Sequence, residues 1–218
     1  MKKVARLLAE KLLTISAVKL QPNNPFIWAS GWNSPIYTDN RRTLSYPDVR
    51  SFIKVELSRL IMEKYPEAEA IAGVATGAIA QGALVADILD LPYVYVRSSP
   101  KDHGLENLIE GNLRQGQKVV VIEDLVSTGK SSLKAVQAIR NAGCEVIGMV
   151  ALFTYGFPEA EENFAKADVE LTTLSNYNEL LEVAREINYI SASDFETLLT
   201  WRTDPANWVP DRTAQAND

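Results

Sequence analysis

Apolar and polar residues are distributed differently in the first quarter of the chain and in the remainder. Apolar residues recur at helical spacing through the first twenty residues, which predicts an amphipathic helix. Prolines, asparagines and aromatic residues interrupt short β-like pieces over residues 21–46, which predicts an irregular or hairpin-like lobe. A helix over 47–64 follows, with Pro47 at its first position and Ser45 as a candidate cap.

Beyond residue 70, short apolar runs alternate with segments of helical periodicity. The runs are apolar throughout, which indicates strands buried on both faces, and strands that alternate with helices form parallel sheets with right-handed crossovers. The predicted fold is therefore α/β, with a doubly wound, mainly parallel central sheet flanked by helices. Ser193 and Glu196 predict a capping box for a last helix. The predicted strands cover 70–74, 93–96, 119–122, 145–153 and 168–174, and the predicted helices cover 77–89, 131–143, 158–166 and 177–187.

The length and composition favour one folded domain. A chain of 218 residues with 46% hydrophobic residues can bury one sizeable core. We expect a single domain over 1–218 that has three parts. These are a small N-terminal hood at about 1–46, with a contribution from the C-terminal region left open, an α/β core at about 47–190, and a loose tail at about 205–218.

Charge and residue usage argue against several classes of function. The net charge is −6 and the Lys and Arg residues are scattered, which argues against nucleic acid as a partner. The longest apolar run, 146–153, is too short to cross a membrane, and the N-terminus lacks a cleavable signal pattern. We therefore expect a cytoplasmic protein with no membrane partner. The single cysteine, Cys144, excludes an internal disulfide and a multi-cysteine zinc site.

The stretch KVVVIEDLVSTGKSS, residues 118–132, is the strongest candidate for chemistry. The loop from Glu123 to Ser131 leaves a buried strand and begins a helix, so its backbone N–H groups and hydroxyl groups suit a phosphate. The adjacent carboxylates of Glu123 and Asp124 would repel phosphate, and they suit instead the vicinal hydroxyl groups of a sugar or a magnesium ion. Together these features predict a sugar phosphate site.

The stretch has two other interpretations, a nucleotide-binding P-loop and a simple helix cap. The letters GKSS resemble the end of a Walker P-loop, but the first glycine of that motif would fall on Asp124, whose carboxylate would oppose nucleotide phosphates. In the simplest interpretation, Asp124 and Ser127 only cap the helix that follows.

Ligands of doubly wound sheets bind at the carboxyl ends of the strands, so the loops at 75–78 and 97–116 are further candidate segments.

The segment VVVIEDLVSTGKS resembles the phosphoribosyl diphosphate signature of the type I phosphoribosyltransferases. Three further stretches, 28–47, 73–87 and 95–111, are similar to the orotate branch of that family. The resemblance implies the type I phosphoribosyltransferase fold and transfer of a 5-phosphoribosyl group from phosphoribosyl diphosphate to N1 of orotate, with Mg²⁺ as cofactor. The implied products are orotidine 5'-monophosphate and diphosphate, in pyrimidine biosynthesis. A purine phosphoribosyltransferase and a phosphoribosyl-diphosphate-sensing regulator on the same fold are the alternatives.

The resemblance also implies roles for individual residues. Lys101, His103 and Asp124 are the implied catalytic residues, and Ser127 is the implied orotate-binding residue, whereas Mg²⁺ is expected on substrate oxygens without direct side-chain ligands. Residues 97–111 correspond to a mobile loop that in the family reaches the active site of the neighbouring subunit, which implies a homodimer. The residues implied for phosphoribosyl diphosphate binding are Thr76, Gly77, Arg97, Lys101, His103, Glu123, Asp124, Leu125, Val126, Ser127, Thr128, Gly129, Lys130 and Ser131.

The side chains that would contact the base are less well defined. Trp28, Trp32 and Tyr37 could stack on a pyrimidine, but filling the core of the hood is the simpler interpretation of the tryptophans. His103, the single histidine, would alone be read as a solvated loop residue. Compared with members of the family that carry lysine or arginine near the base, this chain has Ala29, Asn33, Ser98, Thr154 and Tyr155 at the corresponding positions.

Overall fold

The computed structural model describes residues 2–28, 31–99 and 108–210, and a six-stranded sheet forms its centre. The strand order is β10-β9-β8-β5-β6-β7, and all neighbouring strands are parallel except β6 and β7. The predicted α/β fold with a mainly parallel central sheet is therefore confirmed. The strands of this sheet are β5 (Ala70–Val74), β6 (Tyr93–Val96), β7 (Ile109–Glu110), β8 (Lys118–Val126), β9 (Glu145–Thr154) and β10 (Leu171–Asn176).

Helices cover both faces of the sheet because its central strands are apolar on both sides. Along β8, Val119 and Val121 pack into one buried cluster, and Val120 and Ile122 pack into the other. The helices α1, α2, α3, α6 and α7 contribute to the cluster around Val120, whereas α4 and α5 cover the opposite face. The helices are α1 (Lys2–Thr14), α2 (Pro47–Lys64), α3 (Ile79–Leu89), α4 (Lys130–Asn141), α5 (Pro158–Lys166), α6 (Tyr177–Glu186) and α7 (Ala192–Thr203).

The segment between α1 and α2 folds as short antiparallel strand pairs followed by a 3-10 helix, Asn40–Ser45. Helix α7 contacts this segment, because the indole N–H of Trp201 donates to the backbone oxygen of Asn33 at 3.2 Å. Helix α1 packs on the core, where Oγ of Ser175 donates to the backbone oxygen of Ala5 at 2.8 Å. The four short strands are β1 (Val18–Leu20), β2 (Phe26–Ile27), β3 (Asn33–Ser34) and β4 (Ile36–Thr38).

Strand β8 is longer than the sequence predicts, and this changes the place of the acidic pair. The apolar run 119–122 predicted its end, yet the strand continues to Val126 because β9 pairs beside it as far as Thr154. Glu123 and Asp124 thus belong to the strand rather than to the loop, and α4 begins one residue earlier than predicted, at Lys130. Tertiary pairing overrides the polar sequence at this strand end.

Two predicted caps are wrong, although both helices exist. The capping box of α7 is formed by Ser191 and Asp194, because Ser191 is the residue with extended backbone before the first turn. Ser193 and Glu196 instead lie within the helix. Ser45 belongs to the 3-10 helix, so Tyr46 precedes α2 without a side-chain cap, while Pro47 occupies the first turn as predicted.

The predicted loop 97–111 also contains a short strand. Ile109 pairs with Val96 and Glu110 with Tyr95, so β7 closes the edge of the sheet antiparallel to β6. Two residues are too few to show a period of two, which is why the pattern of apolar residues did not reveal this strand. Residues 211–218 lie outside the described ranges, and the loose tail stays a prediction.

Candidate active site

Glu123 is buried at the carboxyl end of β8, with 4% of its surface exposed. One carboxylate oxygen accepts a hydrogen bond from Oγ of Ser132 at 2.7 Å, and the other accepts one from the backbone N–H of Asp124 at 3.0 Å. Burial, together with the neighbouring charge of Asp124, raises the pKa of Glu123 to about 8. Glu123 therefore connects strand β8 to the first turn of α4, and its burial favours the protonated form of its carboxyl group.

The carboxylate of Asp124 lies against the turn that follows β5. A Cβ atom added to Gly77 in this turn would be 2.2 Å from Cγ of Asp124, so only glycine leaves room for the carboxylate. Burial raises the pKa of Asp124 above its ordinary value, while hydrogen bonds with Glu123 and the adjacent backbone oppose that shift. The structure thus brings together the turn containing Thr76 and Gly77, predicted for the diphosphate, and the predicted catalytic carboxylate.

Asn40, which the sequence analysis missed, fixes the backbone of Asp124. Its side-chain amide donates to the backbone oxygen of Asp124 at 2.6 Å, and Asn40 is 3% exposed. The backbone oxygen of Asn40 accepts from Oγ1 of Thr43 at 2.6 Å, and the amide of Gln81 donates to the same hydroxyl oxygen at 3.3 Å. The polar run TDNRR was the available signal, but nothing in it indicates a contact with a residue 84 positions away.

Residues 127–129 form the turn between β8 and α4. Gly129 has φ +79°, and a Cβ atom there would lie 2.6 Å from the ring of Phe164, so both conformation and space require glycine. The backbone oxygen of Thr128 accepts a hydrogen bond from the amide of Asn163 at 2.9 Å. No side chain caps α4, and the simple interpretation of Asp124 and Ser127 as helix caps is therefore wrong. The first turn of α4 suits an anion instead.

A cavity of about 560 Å³ opens beside this turn. Its lining has two parts, which we call the core wall and the hood wall. The core wall is formed by Leu125, Ser127, Thr128, Lys130, Tyr155 and Glu159, and the hood wall is formed by Ile27, Trp28, Trp32, Tyr37 and Thr38. Ser127, predicted to bind the base, thus belongs both to the turn and to the cavity. Val126 is buried behind the turn, and Ser131 is exposed in the first turn of α4.

The aromatic residues of the two walls are in direct contact. The ring of Trp28 is stacked near Trp32, with centroids 6.4 Å apart, and it contacts Tyr155 at 5.2 Å and Trp201 at 5.6 Å. The indole N–H of Trp28 donates to the backbone oxygen of Ile36 at 3.1 Å. Burial raises the pKa of the Tyr155 hydroxyl, which stays protonated. Tyr155 therefore acts as a neutral support for the aromatic part of the cavity.

Arg97 follows β6 at the same edge of the sheet as the turn after β5. The backbone N–H of Ala75 donates to the oxygen of Val96 at 2.8 Å, which places the two segments side by side. The guanidinium of Arg97 is 3.4 Å from the carboxylate of Glu110. Lys101 and His103 lie outside the described residues, so their roles, and the role of the loop 97–111, stay predictions.

Two further observations concern metal clusters and membrane-spanning helices. Across residues 2–28, 31–99 and 108–210, no cluster of three or more His, Cys, Asp or Glu side chains is placed to hold a metal ion. Within the same ranges, no helix is both long enough and apolar enough to cross a membrane.

Comparison with known proteins identifies the family. A family profile described as "Phosphoribosyl transferase domain" matches residues 53–183. An orotate phosphoribosyltransferase of Bacteroides thetaiotaomicron is 67% identical over 208 residues, which are 95% of this chain and 98% of that protein. One of Porphyromonas gingivalis is 65% identical, over 95% and 99% of the two chains.

Solved structures agree with this assignment. The orotate phosphoribosyltransferase of Aeropyrum pernix has a TM-score of 0.73 at 29% identity, covering 84% of this chain and 99% of that one. The UMP synthase of Leishmania donovani has a TM-score of 0.77 at 26% identity, covering 91% of this chain and 42% of that one. The chain therefore belongs to the phosphoribosyl transferase domain family, in the group of the orotate phosphoribosyltransferases.

Proposed function

We propose that this protein transfers the 5-phosphoribosyl group of phosphoribosyl diphosphate to N1 of orotate, giving orotidine 5'-monophosphate and diphosphate, in pyrimidine biosynthesis. The observation that carries the proposal is the meeting of Gly77, Asp124 and the turn 127–129 beside an aromatic cavity. The near full-length identity to orotate phosphoribosyltransferases supports the same reaction and does not favour a purine enzyme or a regulator.

We assign one part of the donor substrate to each of the segments at the carboxyl ends of β5, β6 and β8. Backbone N–H groups of residues 127–131 bind the 5'-phosphate at the start of α4. The acidic pair binds the ribose hydroxyl groups, and Asp124 makes the main contact because both oxygens of Glu123 already accept hydrogen bonds within the protein. Thr76, Gly77 and Arg97 bind the diphosphate, since the two segments adjoin at the sheet edge.

The cavity binds the base with its ring among the aromatic side chains of the hood wall. Ser127 lies where the cavity meets the turn 127–129, which supports a contact of its hydroxyl with the base. In the reaction the bond from C1 of ribose to the diphosphate oxygen breaks, the bond from C1 to N1 of orotate forms, and the proton of orotate N1 passes to the departing diphosphate or to solvent. The positive charge that develops on the ribose is stabilised by the carboxylate of Asp124.

Water must be excluded while the ribose carries this charge. We assign closure over the site to the loop 97–111, with Lys101 and His103 providing positive charge to the departing diphosphate. In the family that the sequence resembles, this loop reaches the neighbouring subunit's site, and on that basis we propose a homodimer. Exposed apolar side chains on α2 and α3 support an interface there, because Val55 is 51%, Met62 is 55% and Ile88 is 41% exposed. Light scattering in solution tests the dimer.

We further propose that the reaction takes place in the cytoplasm.

The residues fit a magnesium ion that is coordinated mainly by substrate oxygens. Asp124 places a carboxylate beside the proposed diphosphate turn, while no three acidic, histidine or cysteine side chains converge in the described ranges. Asp124 would hold the ion through the substrate or a water molecule. Bound Mg²⁺ would neutralise charge on the departing diphosphate.

The assay combines the purified protein with orotate, phosphoribosyl diphosphate and Mg²⁺. We expect orotate absorbance to fall while orotidine 5'-monophosphate and diphosphate appear in equal amounts. Asp124→Asn should abolish turnover, whereas the matched control Asp90→Asn, at the end of α3, should not change it. The proposal fails if orotate is not consumed at high protein concentration, or if hypoxanthine or adenine reacts faster than orotate.

A further inference from the structure

The cavity combines an aromatic surface with a single pair of opposite charges. Among the described residues that line it, Lys130 is the only lysine or arginine and Glu159 is the only acidic residue. The remaining lining is apolar, aromatic or hydroxyl-bearing. An aromatic ligand with one negative charge fits such a lining better than a neutral one when its charged group contacts the ammonium of Lys130.

The main chain and the side chain of Lys130 belong to different parts of the site. The main chain is part of the phosphate turn, and the side chain lines the cavity. Its backbone is the first residue of α4, next to Gly129, and so belongs to the phosphate turn. Its ammonium lies 2.7 Å from Oε1 of Glu159. Glu159 follows Phe157 by two residues, and Phe157 is stacked on Tyr155 with ring centroids 5.5 Å apart. The ammonium is therefore held beside the aromatic part of the cavity.

The pair of Lys130 and Glu159 is suited to exchange partners. The two side chains are 70% and 44% exposed, and ion pairs with that exposure contribute little free energy because water screens them. A ligand carboxylate in the cavity can therefore replace Glu159 at small cost. Without the lysine, Glu159 would repel any anion that enters the cavity.

We propose that the ammonium of Lys130 leaves Glu159 and binds the carboxylate of orotate, which makes Lys130 the residue that selects a carboxylated pyrimidine. This inference rests on the proposed function and adds the atom that recognises the acid group. The ordinary expectation for a lysine at the phosphate turn is contact with the 5'-phosphate, so the test must separate phosphate from carboxylate.

Orotidine 5'-monophosphate and uridine 5'-monophosphate provide that separation. They share phosphate, ribose and pyrimidine ring, and they differ by the carboxylate at C6. Dissociation constants come from quenching of tryptophan fluorescence, since Trp28 and Trp32 line the cavity. For Lys130→Met we expect about tenfold weaker binding of orotidine 5'-monophosphate, as for loss of a partly exposed charged hydrogen bond, and unchanged binding of uridine 5'-monophosphate.

Kinetics and two further variants complete the experiment. The KM for orotate should rise about tenfold in Lys130→Met, as the same lost hydrogen bond implies, with the KM for phosphoribosyl diphosphate unchanged. Lys130→Arg should restore most of the selectivity because it keeps the charge. Lys134→Met, at an exposed position one turn further along α4, is the matched control and should change neither nucleotide's affinity.

Each contrary result has a separate meaning. Equal weakening of both nucleotides would assign the ammonium to the phosphate and overturn the inference. Unchanged binding of both would show that Lys130 is only a surface charge, and would overturn it as well. If the unmodified protein neither consumes orotate nor binds orotidine 5'-monophosphate, the proposed function itself fails. Normal turnover by the unmodified protein with an unaffected Lys130→Met variant would reject this inference alone.

Discussion

The core wall and the hood wall of the cavity are assembled from contacts of very different kinds. The core wall continues from the end of β8, and beside it reactive groups lie at the ends of neighbouring strands, where Asp124 on β8 meets Gly77 after β5. In the hood wall, aromatic rings from distant parts of the chain meet, as Trp28 does with Tyr155 and Trp201. The comparison suggests that reactive groups rely on the sheet for position, whereas the base cavity relies on packing between distant segments.

The largest expected effect is on the hood wall, from Trp201→Ala. Trp201 is fully buried, contacts Trp28, Tyr155 and Tyr177, and donates to the backbone oxygen of Asn33. Truncation should lower the free energy of unfolding by about 3–5 kcal/mol, as for other buried aromatic residues. Urea denaturation measures this change.

A control for Trp201→Ala lies on the same helix. Leu199 is 37% exposed, so Leu199→Ala should cost less than about 1 kcal/mol. If Trp201→Ala were no more destabilising than this control, the hood wall would not depend on long-range packing.

The next effect is at the sheet edge beside the core wall. There Gly77→Ala should impair catalysis more than folding. The new methyl group would displace the Asp124 carboxylate, which can rotate away, so the fold should persist. We expect kcat/KM to fall about 100-fold, or about 2.7 kcal/mol. Gly116→Ala is the control, because no atom lies within 4 Å of a Cβ added at Gly116. Comparable activity in both variants would contradict the proposed contact with Asp124.

The same contrast explains how much the sequence predicted. The run from Val119 to Ile122 predicted a buried strand, and the acidic, glycine and hydroxyl residues after it predicted the sugar phosphate site. The loop 75–78 was accessible too, because strand ends of a parallel sheet share one edge, whereas the roles of Thr76 and Gly77 within it came from the family resemblance. These features depend on short segments and on one topological rule.

The features that were missed depend on contacts between distant segments. No local pattern shows that Asn40 donates to the backbone of Asp124, or that Glu159 pairs with Lys130. The cavity's aromatic contacts likewise join the start of the chain to α7, and tryptophan spacing carries no information about that packing. The end of β8 was misplaced for the same reason, because pairing with β9 extends the strand through two carboxylates.

A third prediction concerns the pH dependence of stability that the buried carboxyl group of Glu123 causes. Burial raises the pKa of Glu123 from its ordinary 4.5 to about 8, so the folded state binds a proton more tightly than the unfolded state. The stabilising contribution is therefore present at low pH and is lost as pH rises from about 5 to 8. Relative to Glu123→Gln, in which residue 123 cannot titrate, the unmodified protein should lose about 2 kcal/mol of unfolding free energy between about pH 6 and pH 8.

The pH test has a matched variant in the core wall of the cavity. Glu159 is 44% exposed and paired with Lys130, so Glu159→Gln should keep the pH dependence of the unmodified protein. Urea titrations at several pH values measure all three proteins. If Glu123→Gln showed the same pH dependence as the unmodified protein, Glu123 would not be the group that titrates.

The smallest expected effect comes from Asn40→Ala, which removes a hydrogen bond between the 3-10 helix and strand β8. Asn40 begins the 3-10 helix that follows the hood strands, and its amide bonds the Asp124 backbone at 2.6 Å. Loss of this bond should lower stability by about 1 kcal/mol and kcat about fivefold, because Asp124 is less well positioned.

Asn163→Ala is the matched control, since its amide donates to the backbone oxygen of Thr128 in the phosphate turn at 2.9 Å. That variant should raise the KM for phosphoribosyl diphosphate and leave kcat nearly unchanged. Identical kinetic changes in the two variants would mean that the amides only stabilise the fold, and that Asn40 does not position the carboxylate.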